Sequence, residues 1–216
     1  MGYVLLVLLK EPVESYACGN RKDDQKQQDP FLPLRFLCHS ICNMFFQFHK
    51  FIKFAVNEFY MKKKIVIEYQ EYKSIANLGD EDALLLKEAI SATDLSYSPF
   101  SKFRVGAAIR MANGQILKAS NQESTAFPSG LCAERSVLFY AFSKYPGVAV
   151  EAMAIAARKG RKLTATPTRP CGACIQVMLD AQKRGGKPIK VILGAAEKIE
   201  VISSINDLIP FSFDNL

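Results

Sequence analysis

The sequence predicts an α/β protein in which a mixed sheet lies between helices. Three observations lead there. Helical and strand periods alternate along residues 80–202 without an internal repeat. Asn113-Gly114 sits between two strand-like segments, the strongest short-range signal for a hairpin. Val148–Ala157 and Ile189–Leu193 are almost wholly apolar, as strands buried on both faces must be.

The elements follow in order. Asp80 can cap a helix whose first turn holds Glu81 and Asp82, both favourable near the positive helix end. Ala83, Leu86 and Ile90 recur at helical spacing until Ser96-Tyr97-Ser98-Pro99 ends the pattern. Phe103–Met111 and Gln115–Ser120 form the hairpin. Leu131–Tyr145 is helical, with Val137, Leu138 and Ala141 on one face, and Pro146-Gly147 stops it. Strand Val148–Ala157 comes next, then helix Cys171–Arg184, closed by Gly185-Gly186. Strands Ile189–Leu193 and Lys198–Ile202 complete a three-layer α/β/α arrangement with a mixed five-stranded sheet.

At 216 residues, 49% apolar and 23% charged, the chain can bury one sizeable core with length to spare. The spare length is at the front. Residues 1–60 show a polar run at Asn20–Asp29, and then eight of the 15 Phe between Phe31 and Phe59, without a steady period. We therefore divide the chain into an N-terminal extension, 1–60, and a domain, 61–216, with its core at 80–213. The extension is either an arm that packs its Phe residues on a partner or membrane surface, or an upstream stretch with no evolved core to join. The second is favoured, because neither Met1–Leu9 nor Phe36–Phe48 reaches the roughly 20 apolar residues of a membrane span. Met1–Leu9 also lacks a basic leader, so no membrane partner is expected.

Three of the six cysteines fall in the first 42 residues, and the others are Cys132, Cys171 and Cys174. That spacing suits a reducing, cytoplasmic protein better than a disulfide scaffold. The net charge is +7, yet the domain's only dense basic cluster is Arg158–Lys162. With no interleaved aromatics it reads as a solvated loop, not a nucleic-acid surface.

The chemistry concentrates in Cys132-Ala133-Glu134-Arg135 and Pro170-Cys171-Gly172-Ala173-Cys174, each at a predicted helix N-terminus. Such termini favour thiolates through their partial positive charge and free N–H groups. Cys171 and Cys174 share a helix face, and Cys132 supplies a third thiolate from the neighbouring helix. Three protein ligands leave tetrahedral zinc one open position, the mark of a catalytic site. Neither His39 nor His49 is near enough in sequence to be a fourth. Glu134 lies about 200° round the helix from Cys132, where a general base could take a proton from a water activated at the metal. Arg135 returns to the ligand face and would offset the excess negative charge of three thiolates. Buried small hydrophobes are the plainer reading of the cysteines. Two helix N-termini and a carboxylate at that offset make it the poorer one.

These motifs resemble those of cytidine deaminases, in the short form with three cysteine ligands. The likeness runs from about Asp80 to Phe213. It includes Tyr97–Ala108, Asn121-Gln122-Glu123 and the closing Leu208–Phe213. The resemblance implies a cytidine-deaminase-like fold, one zinc ion per subunit on Cys132, Cys171 and Cys174, and Glu134 as the catalytic proton shuttle. It further implies that Asn121 and Glu123 hold the sugar hydroxyls and that Phe103 packs on the pyrimidine ring. The backbone around Ala133 would stabilise the site, and Phe127 and Phe213 would reach a neighbour's site in a homotetramer. The implied activity is hydrolytic deamination of the nucleosides cytidine and 2′-deoxycytidine, in pyrimidine salvage. Departures from the family pattern stand at Ser124, Phe127, Arg169 and Ile175, and bear on substrate affinity and subunit contacts. Two rival readings are a deaminase of another amine, against which Asn121 and Glu123 weigh, and a non-catalytic zinc module, which would need a fourth ligand.

Overall fold

The computed structural model describes residues 41, 43–52 and 62–213. The chain forms two compact units, Met1–Lys63 and Lys64–Leu216. In the first, residues 43–52 are helical and expose apolar side chains, including Phe45, Phe48 and Phe51. The expectations for Met1–Leu9, for the polar run Asn20–Asp29 and for a boundary at Met61 lie outside the described residues. Among the described residues, no helix is long and apolar enough to cross a membrane.

The second unit is built on one mixed sheet. Its strands are β1 (Gln70–Tyr72), β2 (Phe103–Met111), β3 (Ile116–Ser120), β4 (Val150–Lys159), β5 (Lys162–Leu163), β6 (Lys190–Gly194) and β7 (Ile199–Ile202). They run in the order β1-β7-β6-β4-β2-β3, with β5 paired to the end of β4. Only β4 and β6 are parallel, and their connection carries a helix, as a parallel crossover needs. The sheet thus has seven strands where the sequence predicts five. The two extra strands, β1 and β5, span 3 and 2 residues, too short to show a period. They are strands because β7 and β4 supply their partners. Pairing with β5 also turns the basic cluster Arg158–Lys162 into a hairpin tip, not the loop expected.

Side-chain alternation assigns the helices to faces. Ala107 and Ile109 of β2, Met153 and Ile155 of β4, and Val191 and Leu193 of β6 form one core with α2 (Ala133–Lys144) and α3 (Gly172–Gly185). Their neighbours Ala108, Ala152, Ala154, Ala156 and Ile192 face α1 (Asp80–Ala92). The run of alanines lets α1 lie close to the sheet. Gly106 carries this furthest, because a Cβ there would overlap the Ala89 carbonyl. Leu85 and Leu86 of α1 are fully buried against this face of the sheet, worth about 1.5–3 kcal/mol each.

The α1 cap differs from expectation. Gly79 is the N-cap and Asp80 is the first helical residue, with no side-chain cap. Asp80, Glu81 and Asp82 still place three acids in the first turn, where the helix dipole favours them. The buried face is Leu85, Leu86, Ala89 and Ala92, rotated from the Ala83–Leu86–Ile90 stripe. At the far end of α3, Gly186 takes φ 63°, the left-handed cap that glycine accepts without strain.

Candidate active site

The helices α2 and α3 pack side by side on one sheet face and bring their N-termini together. Cys132 is the N-cap of α2 and Cys171 the N-cap of α3, each with extended backbone angles. Cys174 lies one turn further along α3 and is fully buried. The three Sγ atoms fall within 4.8 Å of one another, and those of Cys171 and Cys174 are 3.5 Å apart. Tetrahedral zinc with Zn–S bonds of about 2.3 Å would set its sulfurs roughly 3.8 Å apart. Three soft thiolate donors at this spacing fit zinc and leave a position for a reacting water. The donor set therefore suits the ion.

The electrostatics of the corner follow from its packing. Hydrogen bonding with Cys174, reinforced by the Arg135 guanidinium, holds the Cys132 thiol down at about 5. The same hydrogen bond and its burial push the Cys174 thiol up. The protein groups thus favour the thiolate at Cys132, and a divalent cation is what would stabilise one at Cys174. Arg135 Nη2 lies 3.9 Å from Cys132 Sγ, where the sequence placed a balancing cation. Glu134, the second residue of α2, is only 4% exposed. Burial raises its carboxyl above the ordinary carboxylate range, and the neighbouring charge of Cys132 pushes the same way. A raised pKa makes the carboxyl a stronger base, better suited to take up a proton and hold it for return.

Cys132 and Arg135 also line a cleft of about 300 Å³, the lower end of the range for small-molecule sites. Asn121, Glu123 and Phe127 line it too. Ala133 is buried at the start of α2. Phe103 begins β2, half-buried, just outside the residues that line the cleft. Phe213 is 65% exposed, and its carbonyl accepts from Gln176 Nε2 at 3.0 Å, which ties the closing segment to α3. Phe127 is 86% exposed.

Two features of this wall were not legible beforehand. Asn121 and Glu123 are engaged by the protein itself. Asn121 Oδ1 accepts from the Ser96 hydroxyl at 2.6 Å and from the Val105 N–H at 2.8 Å, while its Nδ2 donates to the Phe103 carbonyl at 2.9 Å. Of the amide's four hydrogen-bonding positions, one N–H is left. The Glu123 carboxylate accepts from the N–H of Phe100 at 2.8 Å and of Ser101 at 3.3 Å. The Ser101 side chain first, and then these backbone bonds, keep its pKa below the usual value. Phe100 is the second feature, since it lines the cleft without having been named. The signal that could have found it is Glu123, whose carboxylate needs donors from a nearby turn.

Residues 80–185 match the family described as the cytidine and deoxycytidylate deaminase zinc-binding region. The chain is 36% identical over 130 residues to a cytidine deaminase of Halalkalibacterium halodurans, covering 60% of this chain and 92% of that protein. Among solved structures, the cytidine deaminase from Burkholderia pseudomallei is similar at a TM-score of 0.52 and 32% identity, covering 63% of this chain and 100% of that one. The cytidine deaminase from Mycobacterium tuberculosis is similar at a TM-score of 0.50 and 27% identity, with 63% and 99% covered. A likeness that spans nearly the whole of these relatives, on a corner whose thiols fit zinc, places the chain in the cytidine deaminase family as a zinc-binding hydrolytic deaminase.

Proposed function

We propose that the chain converts cytidine and 2′-deoxycytidine, with water, to uridine and 2′-deoxyuridine plus ammonia. One observation carries the reading: the buried carboxyl of Glu134 lies on the same helix turn as Cys132, one of three clustered thiols, and Cys132 lines a cleft together with Asn121 and Glu123. Cys132, Cys171 and Cys174 would hold one zinc ion per chain. When bound, the ion supplies the Lewis acidity that makes a water nucleophilic near neutral pH. Glu134 takes one proton from the attacking water and passes it to N3 of the ring as the C4–O bond forms. It then takes the remaining proton from the new C4 hydroxyl and delivers it to the amine as the C4–N bond breaks and C4=O forms, so that ammonia leaves. The raised carboxyl pKa suits both directions of transfer. Arg135 offsets the thiolate charge, and the α2 N-terminus at Ala133 faces the reacting centre.

Glu123 retains lone pairs, and Asn121 one N–H, to take the sugar hydroxyls. Phe103 at the head of β2 packs against the pyrimidine. The exposed rings of Phe127 and Phe213 suit contact with neighbouring copies, so the working form is a homotetramer with shared sites. A free nucleoside substrate and free cysteines fit pyrimidine salvage in the cytoplasm. The test is ammonia release from cytidine, deoxycytidine, cytosine, cytidine monophosphate and adenosine. Turnover of the first two is expected, and turnover of the nucleotide or adenosine alone would overturn the assignment.

A further inference from the structure

We propose that the Arg169–Glu200 pair is a positioning element for Cys171, a clasp that holds the ligand-bearing loop to the sheet. The proposal rests on Cys132, Cys171 and Cys174 being the zinc ligands. Between Leu163, the end of β5, and Gly172, the start of α3, the chain has no regular structure. The first residues of this loop are stitched down by backbone bonds: Ala196 N–H donates to the Thr164 carbonyl at 2.9 Å, and Glu197 N–H to that of Ala165 at 3.3 Å. Beyond them the Arg169 side chain makes the link. Its Nη2 donates to Oε1 and Oε2 of Glu200, on β7, at 2.9 and 2.8 Å. Pro170, buried, comes next, and then Cys171.

Glu200 is the residue that needs explaining. It is 2% exposed and shares a strand face with Ile202, a core residue. An aliphatic side chain would serve the sheet there without partners, whereas a buried carboxylate is costly unless paired. The cations facing it are Arg169 and Lys198, whose Nζ lies 3.1 Å from Glu200 Oε1 and 2.8 Å from Glu71 Oε2. Lys198 immediately precedes β7, two residues from Glu200, and fixes nothing in the loop. Arg169 comes from the loop and anchors it.

The anchor falls where packing holds least. Cys174 is fully buried and Cys132 is half-buried, but Cys171, Gly172 and Ala173 are all exposed. Cys171 is therefore the thiol freest to swing away, and release of the ion should begin there. Fixing Arg169, two residues earlier, limits that swing.

The test is zinc release from the loaded full-length chain into excess chromophoric chelator. Arg169→Ala should speed release about 10-fold or more, the scale seen when a group that orients a ligand is lost. Arg169→Lys, which keeps the charge and one hydrogen bond, should restore most of the difference. Lys118→Ala removes an exposed ion pair with Glu88 at 2.7 Å, away from the loop, and should release zinc at the parent rate. Parent-rate release from Arg169→Ala, or equal acceleration in Lys118→Ala, would overturn the clasp while leaving the ligand assignment intact. A parent chain that binds no zinc would overturn both.

Discussion

The site has two walls built on different principles. The thiol corner hangs from α2 and α3, whose apolar faces are sunk in the main core, and its geometry follows from helix packing. The opposite wall, residues 96–103 and 121–131, is mostly irregular and is held by side chains bonded to backbone. The corner can lose a ligand and keep its helices. The wall cannot lose the Asn121 side chain without stripping partners from two other segments at once, the turn at Ser96 and the start of β2. Chemistry and scaffolding are thus separate in one wall and merged in the other.

Substitutions can break or sharpen that contrast. The largest effect is expected at the corner. Cys171→Ala or Cys174→Ala should abolish turnover and zinc retention, because two thiolates are too few for tight binding, and should lower stability as metal-linked folding energy is lost. Metal analysis alongside an ammonia assay checks this. One zinc per chain with a near-normal rate would remove the three-thiolate reading.

At the wall, Glu123→Ala should raise KM for cytidine about 10–100-fold, the value of a charge-assisted hydrogen bond, and erode discrimination against cytosine. Its melting temperature should fall only slightly, since the Phe100 and Ser101 N–H groups that lose their acceptor are exposed and water can replace it. An unchanged cytidine-to-cytosine ratio would refute the sugar role. Asn121→Ala should show the opposite balance. It strips partners from Val105 N–H and Phe103 C=O and should cost about 2–3 kcal/mol, a fall of roughly 5–10 °C in Tm. A stable Asn121→Ala protein with only a KM defect would mean that the wall, too, keeps its functions apart.

The smallest effect is expected from removing the extension. A chain of residues 61–216 should be soluble, bind one zinc and match the full chain's rate. By light scattering it should run, like the full chain, at about four times the monomer mass. Aggregation or loss of activity would make the extension a structural element, and an active monomer would remove the shared sites.

The corner was the more legible wall. Cys132, Cys171, Cys174, Glu134 and Arg135 sit at fixed offsets on helices, and helical geometry carries those offsets into space. Strands β4 and β6 were equally plain, because both of their faces are buried, and β2 was plain from the Asn113-Gly114 turn that follows it. What the sequence could not reveal depends on loops meeting. The short strands β1 and β5 exist through their partners, and Gly79 replaces Asp80 as the cap. The bonds of Asn121 and Glu123 to segments about 20 residues away have no local signature. Arg169 stood out only as a departure from a family pattern. Its partner, Glu200, hides in an apolar strand.

The central claim is that the thiols hold the metal while Glu134 moves the protons, and Glu134→Gln separates the two. Zinc content and ammonia release from cytidine are measured on one preparation of this variant. The substitution removes no thiol, so zinc should stay at one per chain. Turnover should fall at least 10²–10⁴-fold, because one carboxyl serves every proton transfer. Zinc lost from the variant, or turnover kept, would contradict the account.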